Sequence, residues 1–470
     1  VLLNHANILV IGLGTSGESA AARCAAQGAR VTVTDTRSAD ELTAPLARLA
    51  GLPGHPITYV LGTQPPDAAG FDLIVRSPGV LDDLPVLTSA RTLGVPVWSE
   101  IELAYELCPS PVIAITGTNG KSTTTTLIGN LMRAAGRDTQ VAGNIGLPFT
   151  SVLPDLTADS VAVIEVSAGQ LENCHRFRPL TSVLTNVRAE HMNLYTWEHY
   201  VELKSRVVRH HTTLQNTVAN HDDEICRRIA ATTPGRVLYF STRGELPEGV
   251  DGVFLSGDRI TARTGSHRRT LARLGDLRVR SATPNILATL AVGLLWDVGQ
   301  EAMDTMIAEY TGREHVVEYV ATLDGVEYYN DSKATNPWSV LHAVESFPDR
   351  PVVLITGGKD DKDADFDGLA AALTGRAAHV ITIGETAPRI TEAAHRHGYT
   401  DVTPATSLQE ALALARRTAL PGQAVLFSPG ANSKDMFTDH RRRGTLFKEL
   451  VRAALPDAPR QPPVALTAGR

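Results

Sequence analysis

Residues 115–126 read ITGTNGKSTTTT, and they follow the apolar run Val112-Ile113-Ala114-Ile115. Apolar residues followed by a Gly-Lys-Ser turn and a helical pattern predict a buried strand, a loop and a helix. Such a loop offers backbone N–H groups, a lysine and a hydroxyl to a phosphate. The familiar spacing, GxxxxGKS, requires glycine where Ile115 stands, and Gly117 lies only three places before Gly120. The loop is a shortened form. Its plainer reading is a Gly turn capped by Ser122.

Two other segments repeat the strand-turn theme. Ile8-Leu9-Val10-Ile11 runs into Gly12-x-Gly14-x-x-Gly17 and an Ala-rich helix, and a second strand, VTVTD, ends at Asp35. That pattern brings backbone N–H groups and a helix N-terminus to a diphosphate, with Asp35 placed for a ribose hydroxyl. The motif does not distinguish NAD from another nucleotide diphosphate, and a turn needing glycine for packing alone is its bland reading. Ser77-Pro78-Gly79, after DLIV, is a weaker phosphate-facing turn, and PVVLITGGKDDKD from Pro351 opens a third region. Strand and helix patterns alternate throughout, so the fold class is α/β with mostly parallel sheets and crossover helices.

A length of 470 residues suggests about three domains at roughly 150 residues each. The boundaries are read as 1–98, 99–312 and 313–455, with a Pro-rich tail, 456–470, expected to be disordered. Net charge is -7, so no general nucleic-acid surface is expected. Cys24, Cys108, Cys174 and Cys226 form no CxxC pair, which fits a reducing, cytoplasmic setting without a disulfide framework or thiolate metal site. No apolar run reaches a membrane-spanning length, and VLLNHANILVIGLG lacks the basic start of a signal peptide.

A phosphate loop needs metal ligands and charge neutralisation. Lys121 would contact terminal phosphates, and Ser122 would place its hydroxyl on Mg²⁺. Glu165 ends the run AVIEV, His191 follows SVLTNV, and Lys204 sits in the helical stretch HYVELKSRVV. Singly, each has an ordinary reading: a strand-end salt bridge, a surface histidine and a solvated lysine.

The combination is more specific. ITGTNGKSTTT, GNIGLP (143–148), EVSAGQLE (165–172), NVRAEHMN (186–193), NDSKATN (330–336) and SPGANSKDMF (428–437) occur in this order. Together they resemble the Mur ligases, ATP-dependent amide-forming enzymes of peptidoglycan precursor synthesis, over nearly the whole chain. Within them the pattern is most similar to the branch that adds D-glutamate to UDP-N-acetylmuramoyl-L-alanine. The family uses a shortened phosphate loop of this kind.

The resemblance implies a Rossmann-like UDP-binding domain, a central P-loop ATPase-type domain and a C-terminal Rossmann-like amino-acid domain. It implies ATP and Mg²⁺ as cofactors, small-molecule substrates, no nucleic-acid or membrane partner, and a monomer. Gly117, Thr118, Asn119, Gly120, Lys121, Ser122 and Thr123 would hold ATP, with Asn285 on the adenine side and Asp331 and Lys333 from the third region. Ser122, Glu165, His191 and Lys204, the last as a carbamate, would serve Mg²⁺. Gly12, Gly14, Thr15, Gly17, Asp35, Thr36, Arg37, Ser77 and Asn144 would bind the UDP substrate, so NAD is not expected. Thr335, Lys362 and Ser433 would bind the incoming glutamate, although Lys362 alone reads as part of an exposed charged turn. The implied chemistry is an acyl phosphate captured by an amine, with domain closure excluding water. The general base is unassigned.

Departures cluster away from the phosphate loop. Ala168 and Gly169 stand where the family has Ser and Phe, and Ser281-Ala282 replaces a His-Asn pair. Val316 follows His315 where an Arg is usual, with Arg313 as a nearby substitute, and Glu190 and Asn193 stand where Asp is common. His440 stands where an aromatic residue packs near the glutamate. A paralogue joining another acid and amine is therefore an alternative. A non-catalytic nucleotide-binding protein conflicts with the retained Lys121, Glu165, His191 and Lys204. A folylpolyglutamate-synthase-like activity conflicts with the first Gly loop and the Ser-Pro-Gly turn.

Overall fold

A computed structural model describes residues 3–52, 56–80, 84–188, 190, 194–347, 350–359 and 366–455. His191, Lys362 and the tail from Pro456 lie outside the described residues. The described chain forms three sheets. It divides into two compact units: the chain to Asp276 with Thr283–Ala308, and Leu277–Ala282 with the chain from Glu309.

The first sheet contains β1 (Asn7–Ile11), β2 (Arg30–Asp35), β3 (Thr58–Leu61), β4 (Leu73–Arg76) and β5 (Val97–Ser99). Their order is β3-β2-β1-β4-β5, all parallel. The order reverses at β1, so the Gly loop after Ile11 opens where a ligand crevice forms in such sheets. The glycine pattern is required by close approach: a Cβ on Gly17 would overlap the Gly12 carbonyl oxygen. Helix Thr15–Ala26 consequently packs directly on its own strand, burying Ala20, Ala21, Cys24 and Ala25.

The second sheet contains β6 (Val112–Thr116), β7 (Thr139–Gly143), β8 (Val161–Glu165), β9 (Thr181–Leu184), β10 (Asn216–Asn220), β11 (Arg236–Ser241), β12 (Gly252–Ser256), β13 (Arg259–Thr264) and β14 (His267–Arg273). Their order is β14-β13-β12-β11-β10-β9-β6-β8-β7. The strands from β7 to β12 run parallel, and β12-β13-β14 is an antiparallel extension. Every residue of β6, β8 and β9 is buried, as expected of strands covered on both faces. β6 lies between β8 and β9, so the carboxyl ends of these three strands meet.

The first and second sheets belong to one unit. Helix Glu100–Leu107 follows β5 directly, with the Ser99 hydroxyl capping Glu102 N–H. Ser99 N–H also donates to the Asn173 carbonyl, at 3.0 Å. Two carboxylates are buried in this helix's first turn. Glu100 accepts from Thr150 N–H and Oγ1 at 2.5 and 2.7 Å, and Glu102 accepts from Arg176 and Phe177 N–H at 2.7 and 3.1 Å.

The second unit is built on β15 (Glu318–Leu323), β16 (Val326–Asn330), β17 (Val352–Thr356), β18 (Ala377–Thr382), β19 (Val402–Pro404) and β20 (Ala424–Phe427), in the order β15-β16-β20-β17-β18-β19. Only β15 is antiparallel to its neighbour. The last described helix, His440–Ala453, packs Phe447 on Phe427 with ring centroids 4.8 Å apart. All four cysteines are free. No helix among the described residues is long and apolar enough to cross a membrane.

Candidate active site

Strand β6 ends at Thr116, and the chain turns through Gly117 and Gly120 before helix Lys121–Ala134 begins. Gly117 has φ +148°, and a Cβ there would overlap the Thr185 hydroxyl. The tightness follows from how the loop is braced. Thr118 N–H donates to the Asn186 carbonyl at 2.8 Å, and Asn119 N–H to Asn186 Oδ1 at 2.9 Å. Asn186 Nδ2 and Thr185 Oγ1 both donate to the Asn119 carbonyl, at 3.0 and 2.7 Å. Thr185 and Asn186 were not singled out from the sequence. Their signal was available: a polar pair emerging from the fully apolar end of a parallel strand.

Lys121 folds back over the loop, its Nζ donating to the Thr118 carbonyl at 2.7 Å. Ser122 and Thr123 occupy the helix's first turn, half-buried. Asn285 also braces the loop: its Nδ2 donates to the Gly120 carbonyl at 3.2 Å and to Thr124 Oγ1 at 2.9 Å. The resemblance placed it on the adenine side; here its amide holds the turn between loop and helix.

Lys204 lies on helix Trp197–Ser205 and is 1% exposed. Its Nζ donates to the Gly117 carbonyl at 2.8 Å and to Thr116 Oγ1 at 3.3 Å. Burial lowers its pKa to about 7, the nearby Lys121 charge acting in the same direction and Glu190 and Glu165 against it. The solvated-lysine reading is therefore wrong. Tyr200, one helical turn earlier, presents its ring 5.3 Å from Nζ and its hydroxyl 3.3 Å from Glu190 Oε2.

Glu165 ends β8 beside Ile115, its register partner on β6. Its Oε1 accepts from Asn144 Nδ2 at 2.8 Å, and Asn144 N–H donates to the Glu165 carbonyl. Its Oε2 is buried and meets no donor among the described residues. Among the described residues it makes no strand-end salt bridge, and an oxygen is left for a cation. The described residues contain no group of three or more His, Cys, Asp or Glu able to hold a metal. The oxygen-rich set of Glu165 and Ser122 suits a hard ion such as Mg²⁺, which keeps several waters and takes few protein ligands.

At the first sheet, Ser77 Oγ donates to the Gly12 carbonyl at 3.0 Å, tying the Ser-Pro-Gly turn to the Gly loop. Asp35 accepts from Leu13 N–H at 2.7 Å. It also accepts from Arg37 N–H, Nε and Nη2 at 2.9, 3.0 and 2.8 Å. Its hydrogen bonds to Arg37 hold its pKa down at about 2. The carboxylate is thus engaged in shaping the loop and aiming Arg37, while Thr36 and Arg37 are exposed at its rim. The same unit joins this crevice to the phosphate loop's surroundings: Arg76 Nη1 and Glu172 Oε2, just past the Glu165 strand, pair at 2.7 Å.

In the second unit, Asp331 follows β16 and is buried, accepting from Ser428 Oγ at 2.6 Å and Val317 N–H at 3.1 Å. Burial raises its pKa to about 7. Lys333 is exposed; its pKa is lowered by partial burial and by the charges of Arg313 and Arg441. Arg313, the candidate substitute for the absent arginine at 316, therefore stands within electrostatic reach of Lys333. Thr335 is half-buried and Ser433 buried. The fully buried Arg443 ties their loops together, donating to the Ser332 and Ala431 carbonyls at 2.9 and 3.2 Å. His440 sets its ring edge-to-face with His315, centroids 6.3 Å apart.

Three family models match the chain: a Mur ligase MurD-like N-terminal domain over residues 6–99, a Mur ligase middle domain over 115–289, and a Mur ligase glutamate ligase domain over 312–430. The UDP-N-acetylmuramoylalanine--D-glutamate ligase of Symbiobacterium thermophilum is 40% identical over 448 residues, covering 94% of this chain and 97% of that protein. The chain belongs to the Mur ligase family. The protein of the same name from Geobacter metallireducens is likewise 40% identical, over 95% of this chain and 97% of its own.

Solved Mur ligases share the fold. UDP-N-acetylmuramate-alanine ligase of Thermotoga maritima aligns with a TM-score of 0.53 at 18% identity, covering 96% of this chain and 100% of that one. MurF of Acinetobacter baumannii aligns with a TM-score of 0.58 at 17% identity, covering 94% and 93%. Like its family, this Mur ligase is an ATP-dependent ligase acting on small molecules.

Proposed function

We propose that this Mur ligase adds D-glutamate to UDP-N-acetylmuramoyl-L-alanine in the cytoplasm, acting as a monomer with ATP and Mg²⁺. The supporting observation is the convergence on one sheet edge of Lys121, the Gly117 carbonyl with Lys204, and the unpartnered Glu165 Oε2. The full-length similarity to proteins named for that reaction gives the substrates. The proposed division of labour runs 1–98 for the UDP end, 99–312 for ATP and 313–455 for the amino acid.

A carboxylate oxygen of the acyl substrate attacks the γ-phosphorus and ADP leaves, giving an acyl phosphate. The free amine of the amino acid attacks the acyl carbon, and the C–O bond to phosphate breaks. Lys121 and the loop N–H groups neutralise the transferring phosphoryl. Ser122, Glu165 and His191 would hold Mg²⁺, which supplies further charge neutralisation when bound. An amine of pKa about 7 is substantially unprotonated at neutral pH. Lys204 can therefore react with carbon dioxide, becoming a carbamate that replaces a buried cation with an anion beside the metal.

In this reading Gly12, Gly14, Thr15, Gly17, Arg37 and Ser77 form the nucleotide-sugar crevice, Asp35 shapes it, and Asn144 links it to Glu165. Asp331, Lys333 and Arg313 serve ATP, while Thr335, Lys362 and Ser433 serve the glutamate. Phosphate release with UDP-N-acetylmuramoyl-L-alanine and a panel of D- and L-amino acids tests the assignment. Turnover with D-glutamate supports it; turnover with a different partner alone supports the paralogue reading suggested by Val316 and His440.

A further inference from the structure

We propose a second ligand site on the first unit, away from the phosphate loop, that takes a small amphiphilic anion. A cavity of about 750 Å³ lies along one face of helix Thr15–Ala26. That volume is within the range of about 300–1,000 Å³ usual for small-molecule sites. The helix contributes Ala22, Arg23 and Ala26, residues opposite the face that packs on β1. Across from them stand Leu49 in helix Thr43–Ala50 and Leu52 just beyond it, and Leu147 with Pro148 from the segment following β7. Leu52 and Leu147 are 47% and 58% exposed, so the cavity's rim carries two of the large apolar side chains this surface leaves in water. Covering that apolar area is the gain a ligand's hydrocarbon body would obtain.

The charge at the site selects an anion. Two arginines line the cavity. Arg48 is satisfied, its Nε and Nη2 donating to Glu18 at 2.5 and 2.7 Å. Arg23 has no ion-pair partner among the described residues, and its Nε is buried without an acceptor. A guanidinium beside an apolar wall is matched by a carboxylate or sulfonate on an apolar body. At the floor, Ser19 Oγ and Thr150 Oγ1 share a hydrogen bond of 2.7 Å, and Thr150 donates in turn to the buried Glu100. The site is thus closed below by an internal network that has its own partners. Thr15, Glu18 and Ser151 also line it, but the Glu18 carboxylate is held by Arg48 and Ser151 Oγ donates to the Pro148 carbonyl, so Arg23 is the lining charge left for a ligand.

Thr15 borders both this cavity and the proposed nucleotide-sugar crevice, so binding is read without substrates. Anilinonaphthalene sulfonate is titrated into the full-length protein, followed by fluorescence and by calorimetry. One saturable site is expected, displaced by decanoate, not by decylamine, and not by ATP. Arg23→Gln is expected to weaken dye and decanoate roughly tenfold. Ala22→Phe and Ala26→Trp, which fill the cavity, are expected to abolish binding with thermal melting unchanged. Should one filled variant fold poorly, the other and Arg23→Gln carry the test. Absence of saturable binding, equal binding by folded filled variants, or displacement by ATP would each overturn it.

Discussion

The Nζ of Lys204 lies 2.8 Å from the carbonyl oxygen of Gly117, so a lysine eighty-seven positions along the chain is sealed behind the phosphate loop. The cost of that burial is the source of its lowered pKa. Replacing Lys204 by Ala is expected to lower kcat by about 100-fold or more, the scale for losing one preorganised electrostatic group. Thermal stability should be retained or improved. If the carbamate forms, enzyme stripped of carbon dioxide recovers on adding bicarbonate. With dissolved carbon dioxide held at one concentration, recovery should quicken as pH rises through about 7, because the neutral amine is the reactive form. A stopped assay after bicarbonate addition measures this, and recovery independent of pH would exclude the lysine as its site.

Glu165 gives a prediction about cation dependence. Its Oε2 is buried without a donor among the described residues, whereas Oε1 is held by Asn144. Glu165→Gln keeps the shape and removes the charge. The expected result is a higher Mg²⁺ concentration for half-maximal rate together with a reduced kcat, and little change in nucleotide affinity measured without metal. An unchanged Mg²⁺ titration would remove Glu165 from the metal site.

The loop's shortened spacing makes Gly117 intolerant. Its φ of +148° and the overlap of any Cβ with the Thr185 hydroxyl predict that Gly117→Ala costs about 2 kcal/mol and weakens ATP binding. Urea unfolding and nucleotide titration check both effects. Thr185→Ala in the same chain relieves the overlap but leaves the backbone strain, so it should restore only part of the loss.

Glu100 predicts a pH dependence of stability. Full burial raises its pKa to about 7, Thr150 opposing the shift. Because the folded-state value exceeds the unfolded one, its contribution is fully present below about 4.5 and is lost as pH rises to about 7. Glu102, also raised to about 7 by burial, acts in the same sense. Glu100→Gln should therefore flatten the fall in unfolding free energy between pH 5 and 7 and stabilise the protein at pH 8, on the order of 1–3 kcal/mol. Denaturant melts across that range decide it; a variant less stable than wild type at pH 8 would show that the charged form is well accommodated.

Much of this architecture was legible because strand composition carries it. β6 and β8 are apolar up to their last residues, Thr116 and Glu165, which come out at the same sheet edge. Glycine spacing likewise located both loops. What pattern reasoning missed depended on contacts across the sheet. Nothing local marks Asn186 as the brace of a loop sixty-seven residues earlier, and nothing in HYVELKSRVV distinguishes the buried Lys204 from a solvated one. Asp35 was located by the motif, but nothing in the motif shows that Arg37, two positions away, donates to both of its oxygens.

In the proposed reaction the phosphate loop activates a carboxylate as an acyl phosphate, which D-glutamate then captures. The most direct measurement uses UDP-N-acetylmuramoyl-L-alanine carrying heavy oxygen in its terminal carboxylate, with ATP, Mg²⁺ and D-glutamate, and determines by mass spectrometry where that oxygen goes. Phosphate carrying one labelled oxygen, formed in equal amount with the amide product, is the expected result. Unlabelled phosphate, or no product with D-glutamate, would contradict it.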